Sequence, residues 1–278
     1  MTSTAMYVRY LAADGAATLT LDSPHNRNAL SARLIAELRQ GLAAAAADPA
    51  VRAVVLTHTG GTFCAGADLA EASAEPESGS PGAADPAGAA GAGDRAGAAG
   101  PRARARSLAG LLRAILELPK PVIARIDGHV RAGGMGLAGA CDIVIAGPSS
   151  TFALTEARLG LAPSIISLTV LPRLTSRAAA RYFLTGEKFG AREAAALGLV
   201  TIAAGDAAEA TAAILGELRL ASPQGLAESK ALTTAAILGG FDRSAERLAA
   251  ESARLFGSEE ALEGMAAFLR KRRPRWAV

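Results

Sequence analysis

Aromatic side chains are scarce in this chain of 278 residues: Phe, Trp and Tyr make up 4% of it, although half of the residues are hydrophobic. The core must therefore be built from small aliphatic side chains, and the abundance of alanine favours helix-rich packing. The scarcity also argues against a surface for single-stranded nucleic acid, because such surfaces stack bases on exposed aromatic rings. The net charge of +3 is too small to indicate a nucleic-acid partner by itself.

Cysteine is almost absent, since Cys64 and Cys141 are the only two in the sequence. The chain therefore has no disulfide framework and no Cys/His metal spacing, so we expect a reducing compartment and no bound metal. It also lacks an uninterrupted apolar run of about 18 residues, and its first residues lack the pattern of a secretory signal. These absences predict a cytoplasmic protein without a membrane partner.

Alternation and short apolar runs predict strands in the first three quarters of the chain, at residues 17–22, 51–59, 122–127, 142–146 and 200–203. Helical periodicity lies between them, at 31–47, 107–118, 135–141, 164–173, 176–185 and 191–197. Strand and helix alternate, which indicates a mixed α/β fold with a largely parallel sheet. Four further helices are predicted at 206–220, 223–238, 241–256 and 258–272. We therefore divide the chain into a core, 1–205, and an all-helical region, 206–278.

One stretch of the core, residues 72–105, differs in composition from the rest. It is rich in alanine, glycine, proline and aspartate and has almost no large apolar side chain. Such a segment cannot bury enough surface to offset the entropy lost on ordering. We predict a flexible insertion that belongs to the core domain.

Two turns made of small residues follow predicted strands. Ala65–Ala67 lie in the first, and Gly133-Gly134 open a helix in the second. Backbone N–H groups at a helix start favour negative charge, and two such turns can face one oxygen on which charge develops. Small residues also simply permit tight turns, which is an alternative for either turn alone.

Three motifs carry a family resemblance: FCAGADL at 63–69, GHVRAGGMGL at 128–137 and TFALTEARLGLAP at 151–163. In this order and spacing they resemble the crotonase superfamily, the enoyl-CoA hydratase/isomerase family. The resemblance implies a crotonase-like spiral of ββα units followed by an all-helical trimerisation region. It also implies an acyl-CoA thioester substrate and a homotrimer or a dimer of trimers, with coenzyme A entering as part of the substrate and no separate cofactor.

Matching the motifs residue by residue assigns the catalytic roles. The resemblance implies that the Ala67 and Gly133 N–H groups bind the thioester oxygen, and that Glu156 is the acid/base. It further implies contacts with coenzyme A or the acyl group at Arg27, Ala29, Ala65, Gly66, Asp68, Leu69, Gly134, Phe268 and Lys271. Phe268 and Lys271 match residues that reach the coenzyme A of a neighbouring subunit.

Gly136 departs from the pattern of hydratases that use two glutamates, which carry their other acid here. The expected reaction is reversible addition of water to a 2-enoyl-CoA. The first alternative is a Δ3–Δ2 enoyl-CoA isomerase that uses Glu156 alone, and the second is a non-catalytic acyl-CoA-binding or RNA-binding protein with this fold. A dinucleotide site at the GMGLAG run is rejected, because residues 128–132 separate it from the preceding strand.

Overall fold

The computed structural model describes residues 6–69, 71 and 100–278. Its strands lie in two sheets. The strands are β1 (Val8–Ala13), β2 (Ala16–Leu21), β3 (Ala53–His58), β4 (Thr62–Cys64), β5 (Val122–Ile126), β6 (His129–Arg131), β7 (Ile143–Ala146), β8 (Thr151–Ala153), β9 (Phe189–Gly190) and β10 (Ile202–Ala203). The larger sheet has the order β1-β2-β3-β5-β7-β10, and the smaller has the order β4-β6-β8-β9.

The two sheets share a repeating connection. In each of the pairs β3 and β4, β5 and β6, and β7 and β8, the first strand joins the larger sheet and the second joins the smaller. Each repeat adds one strand to each sheet. The strands that successive repeats add to the same sheet are neighbours and run parallel. Antiparallel pairing is seen only where β1 meets β2 and β8 meets β9 in the described chain. The predicted, largely parallel arrangement is confirmed.

The helices cover both faces of the larger sheet. They are α1 (Ala32–Ala47), α2 (Pro101–Glu117), α3 (Gly133–Ala140), α4 (Ser167–Val170), α5 (Ser176–Thr185), α6 (Ala191–Ala196), α7 (Ala207–Leu220), α8 (Pro223–Phe256) and α9 (Glu259–Leu269). Helices α1 and α2 place leucine stripes in the main core, while α7 packs on Ile123 and Ile145 of the opposite face. Strands buried on both faces explain why β3 and β5 read as apolar runs rather than as alternating patterns.

The predicted C-terminal bound of the insertion, residue 105, is wrong. Residues 72–99 lie outside the described residues, but α2 already begins at Pro101, so 101–105 are helical. Proline suits the first helical position because its missing N–H would have no intrahelical partner. Ala105 is buried in the core, and the Arg102 side chain donates to the Glu246 carboxylate of α8. These contacts order a segment whose composition alone predicts flexibility.

The predicted break between two helices at 238–241 is also wrong, because α8 continues through Gly239 and Gly240. Each glycine costs a helix roughly 1 kcal/mol relative to alanine. Buried side chains on both sides of the pair, Ile237 and Phe241, hold the helix against the core. Tertiary packing thus outweighs the local preference for a break. The division of the chain at 205/206 itself remains a prediction.

A buried ion pair ties α8 to the core. Lys230 Nζ lies 2.7 Å from Asp142 Oδ2, and both side chains are largely shielded from solvent. The ammonium group also donates to the carbonyl oxygens of Ile115 and Lys120, at 2.8 and 3.0 Å. Asp142 in turn accepts from the Val122 N–H at the start of β5. These partners satisfy the buried charges, and the pair joins α8 to Asp142, the residue before β7, and through it to the start of β5.

Two absences concern the described residues alone. None of their helices has the length and apolarity needed to cross a membrane. Within the same residues, no cluster of three or more His, Cys, Asp or Glu side chains is arranged to hold a metal ion. Cys64 and Cys141 are both buried as free thiols.

Candidate active site

The smaller sheet brings the three predicted catalytic positions to one edge. Strands β4, β6 and β8 are adjacent and parallel, so the loops that leave their carboxyl ends are neighbours. Ala67 follows β4, Gly133 follows β6 and Glu156 follows β8. The Ala132 N–H donates to the Ala153 carbonyl oxygen at 3.2 Å and joins the second loop to the third.

The loop after β4 is held from the N-terminal segment. Gly66 has a φ of +95°, a conformation that favours glycine. Its carbonyl oxygen accepts from the Leu30 N–H at 2.8 Å, and the Ala65 N–H donates to the Arg27 carbonyl oxygen at 3.1 Å. With the backbone fixed on both sides of Gly66, the exposed Ala67 has little freedom to reorient its N–H group.

The two glycine turns touch through their backbones. A Cβ atom added to Gly66 would lie 2.7 Å from the Ala132 Cβ and 3.3 Å from the Gly133 nitrogen. A Cβ added to Gly133 would lie 3.5 Å from the Gly66 Cα and 2.6 Å from Leu30 Cδ1. Glycine is therefore required at Gly66 for the turns to approach each other, whereas a Cβ at Gly133 would overlap only the end of the Leu30 side chain. The close approach favours a paired arrangement of the two turns over two unrelated tight turns.

The second turn is strained at the residue before the helix. Ala132 has φ +46° and ψ −116°, which an alanine rarely adopts. Such strain is kept where the surrounding structure enforces it, and it concentrates at functional sites. Among the described residues, neither the Gly133 nor the Ala67 N–H donates a hydrogen bond. Two preorganised donors on touching turns can stabilise an oxyanion without reorganisation.

Glu156 supplies an ionisable group at the same edge. It opens a short 3-10 helix, Glu156–Leu159. The residue is only partly buried as a whole, but its Oε2 atom is buried and has no hydrogen-bond partner among the described residues. Burial raises the pKa of Glu156 to about 7, and a hydrogen bond to its own backbone N–H offsets this only in part. A carboxyl group poised near neutral pH suits proton transfer in both directions.

Arg158 does not pair with Glu156, although it lies only two residues further along the chain. Its Nε donates to the Thr185 carbonyl oxygen at 2.8 Å instead. The raised pKa of Glu156 is therefore not cancelled by this nearby cation.

Comparison with known proteins identifies the family. The family model for enoyl-CoA hydratase/isomerase matches residues 16–278. The chain belongs to the enoyl-CoA hydratase/isomerase family. A Thermus thermophilus relative that carries an enoyl-CoA hydratase name is 34% identical over 262 residues, which cover 94% of this chain and 96% of the relative. The 1,2-epoxyphenylacetyl-CoA isomerase of Escherichia coli is 31% identical, with 94% of this chain and 95% of that protein covered.

Solved structures agree with this assignment. An enoyl-CoA hydratase from Mycobacterium avium is 57% identical, with a TM-score of 0.84 and coverage of 98% of this chain and 100% of that one. The predicted crotonase-like fold is thereby confirmed. The family membership also supports an enzyme over the non-catalytic binding protein that the sequence left open.

Apolar side chains close the position of the missing acid in this family member. A Cβ atom added to Gly136 would lie 2.5 Å from Ile166 Cγ2 and 3.3 Å from Leu112 Cδ1. Ile166 and Leu112 are both buried. A longer acidic side chain at Gly136 would displace them, so the described residues leave no room for a second carboxyl group at this position. The sequence revealed the glycine but not what fills the space beside it.

The N-terminal segment that the family resemblance links to coenzyme A is tied to the loop after β4. Asn26 Nδ2 donates to Asp68 Oδ2 at 3.1 Å. Asn28, which is fully buried, donates to the carbonyl oxygens of Thr59 and Thr62 and accepts from the Ser23 N–H. Sequence reasoning missed Asn28 as the residue that holds this segment. The only signal in the sequence was the residue type, because asparagine tolerates the left-handed conformation. The structure places Asn28 there, with a φ of +54°.

The remaining predicted contact residues occupy different surroundings. Arg27 is exposed at a left-handed position, whereas Ala29 is buried. Gly134 lies against Cys64, where an added Cβ would be 2.8 Å from the Cys64 carbonyl oxygen. Phe268 and Lys271 lie at the exposed end of α9. Their predicted contacts with coenzyme A, like the catalytic roles above, remain predictions.

Proposed function

We propose that this enzyme adds water reversibly to the double bond of a 2-enoyl-CoA thioester. The observation that carries the proposal is the buried Oε2 atom of Glu156, which has no hydrogen-bond partner among the described residues, at the same sheet edge as two touching turns. Within those residues the Ala67 and Gly133 N–H groups of the turns donate no hydrogen bond. Support also comes from relatives of the whole chain that carry enoyl-CoA hydratase names. Coenzyme A is then part of the substrate.

One carboxyl group must perform both proton transfers in this reaction. The ionised Glu156 takes a proton from water, and the resulting hydroxide oxygen bonds to C3 of the enoyl group. The π electrons move into the thioester, whose oxygen becomes negative and is stabilised by the Ala67 and Gly133 N–H groups. Glu156 then returns the proton to C2. Atoms balance because the water supplies the hydroxyl at C3 and, through Glu156, the hydrogen at C2.

An isomerase that shifts a 3-enoyl double bond is the second candidate. The apolar surroundings of Gly136 favour the isomerase, because among the described residues they leave no room beside Gly136 for a second carboxyl group that could orient a water. A relative named as an acyl-CoA isomerase is 31% identical to this chain. In this reaction Glu156 would remove a proton from C2 and deliver one to C4, with no water added.

Crotonyl-CoA distinguishes the two reactions. Hydration should abolish the ultraviolet absorbance of the conjugated thioester and yield a product heavier by one water on mass analysis. A 3-enoyl-CoA should gain that absorbance without a mass change if the enzyme is an isomerase. The second proposal would replace the first if two results were obtained together. The enzyme would hydrate neither crotonyl-CoA nor a set of longer and branched 2-enoyl-CoA esters, and it would isomerise the 3-enoyl-CoA.

We also propose that the chain forms a homotrimer or a dimer of trimers. Its helical region exposes large apolar side chains that a second copy would cover. These are Leu220, Leu232, Leu262, Phe268 and Leu269, each more than half exposed. Light scattering coupled to gel filtration should give a mass of three or six chains of 28.0 kDa. A monomer mass at micromolar concentration would contradict this.

A further inference from the structure

The C-terminal helix α9 lies directly on the turn that carries Glu156 of the same chain. A Cβ atom added to Gly264 of α9 would lie 2.4 Å from the Leu159 carbonyl oxygen and 2.5 Å from the Leu159 carbonyl carbon. Conversely, a Cβ on Gly160 would lie 2.6 Å from the Glu260 carbonyl carbon. Glycine thus stands on both sides of the crossing, and backbone packs on backbone without an intervening side chain.

The turn itself is compact, so a displacement at Gly160 reaches Glu156. Gly160 ends the short helix with a φ of +70°, and the Leu161 N–H donates to the Glu156 carbonyl oxygen at 3.0 Å. Glu156 and Gly160 therefore belong to one hydrogen-bonded turn. Pushing the Leu159 carbonyl away from α9 would move the main chain from which the catalytic carboxyl projects.

A small apolar cluster extends the contact to the other half of the site. Leu161, Ala261 and Met265 are buried together, and Leu69 packs against them. Leu69 follows the proposed oxyanion donor Ala67 by two residues. The cluster therefore joins α9 and the turn after β8 to the segment that follows β4.

Local contacts stabilise both ends of α9. Ser258 caps its start by accepting from the Ala261 N–H at 3.2 Å. Near its end, Arg272 forms an ion pair with Glu263 at 2.7 Å. The Arg275 N–H also donates to the Glu263 carboxylate at 2.9 Å. These contacts keep the helix intact, while its position on the turn depends on the glycine crossing and the apolar cluster.

We propose that Gly264 and Gly160 are positioning residues, which set the place of the Glu156 carboxyl by letting α9 dock on its turn. This inference rests on the proposed function, because it assigns the support for the acid/base of that reaction. It makes the C-terminal helix a component of the active site of its own chain, independent of any contact it makes with a neighbouring subunit.

The test compares Gly264→Ala with Gly240→Ala in the full-length protein. Gly240 lies inside α8, where an added Cβ would meet no described atom within 4 Å, so it controls for alanine replacing a helical glycine. We expect Gly264→Ala to lower kcat at least about tenfold with a smaller change in KM, since a misplacement of 1 Å can cost on the order of 10²-fold. Gly240→Ala should keep the wild-type kcat.

The pH profile of kcat separates positioning from a general loss of stability. The wild-type acid limb should have its midpoint near the Glu156 pKa of about 7. In Gly264→Ala the displaced turn admits water to the carboxyl, so the midpoint should move to lower pH. Loss of stability alone would reduce the amount of active enzyme without moving that midpoint. An unchanged kcat and an unchanged midpoint would overturn the inference.

If Gly264→Ala does not fold, Met265→Ala tests whether the docking of α9 positions the Glu156 carboxyl. It adds no clash at the crossing, but it weakens the docking of α9 on the turn by removing a buried side chain from the cluster that joins α9 to Leu161. We expect the same downward movement of the midpoint, and a lower melting temperature with wild-type pH dependence would overturn the inference. A Glu156→Gln enzyme with wild-type kcat would instead contradict the proposed function itself, so the two failures are distinguishable.

Discussion

Replacement of Glu156 by glutamine is expected to lower kcat by about 10²- to 10⁴-fold, the usual contribution of a general acid/base. Glutamine keeps the size of the side chain but neither accepts nor releases a proton at neutral pH. The free N–H groups of Ala67 and Gly133 remain, so residual activity and substrate binding should persist. The effect is measured by steady-state kinetics with whichever 2-enoyl-CoA or 3-enoyl-CoA ester the wild-type enzyme converts. KM is expected to change far less than kcat.

Glu228→Gln is a matched control, because it makes the same chemical change at an exposed position of α8. It should leave kcat within about twofold of wild type, as surface substitutions away from a site usually do. Wild-type kcat in Glu156→Gln would remove this residue from the mechanism. A loss of similar size in both variants would point to a general effect on the protein.

The same variant should change how stability depends on pH. The pKa of Glu156 rises from 4.5 to about 7 on folding, so the folded state holds its proton more tightly than the unfolded chain. Stability from this group is therefore complete below pH 4.5 and is lost as pH rises through 7. At about 1.4 kcal/mol per pKa unit, the loss is on the order of 3 kcal/mol. Chemical unfolding at pH 5 and pH 8 should show this loss in wild type relative to Glu156→Gln.

The sequence predicted the parts of the site that depend on local backbone chemistry. The turns at Ala67 and Gly133 follow strands and consist of small residues, so their conformation depends on a few neighbouring residues. Their adjacency was not predictable in this way, because β4 and β6 of the smaller sheet bring the turns together and neither was among the predicted strands. The roles of Ala67, Gly133 and Glu156 were assigned by the family resemblance, and they remain predictions.

Contacts between distant segments were not predictable in the same way. Nothing near Gly136 in the sequence shows that Ile166 occupies the space beside it. Likewise, Gly264 looks like an ordinary interruption of a helix until the Leu159 backbone is found against it. The continuous helix α8 shows the same limit, because the packing around Ile237 and Phe241 overrides a local glycine pair. Such features depend on tertiary packing, which a single sequence does not specify.

Replacement of Gly66 by alanine should lower kcat by about 10²- to 10³-fold, the cost of losing one oxyanion donor. Two physical effects act together. The φ of +95° is strained for any residue with a side chain, and the new Cβ would lie 2.7 Å from the Ala132 Cβ. Relief of that overlap requires the two turns to separate, which would disrupt the proposed arrangement of the Ala67 and Gly133 N–H groups around one oxygen.

Gly61→Ala provides the control, since Gly61 lies just before β4 while Gly66 lies just after it, and a Cβ at Gly61 has open space among the described residues. It should retain wild-type kinetics. The kinetic comparison is made at a temperature where both variants are shown to be folded by circular dichroism, because Gly66→Ala should also be less stable. If folded Gly66→Ala turned over substrate at the wild-type rate, the contact between the turns would not be the oxyanion site. The negative charge of the intermediate would then have to be stabilised elsewhere along the edge formed by β4, β6 and β8.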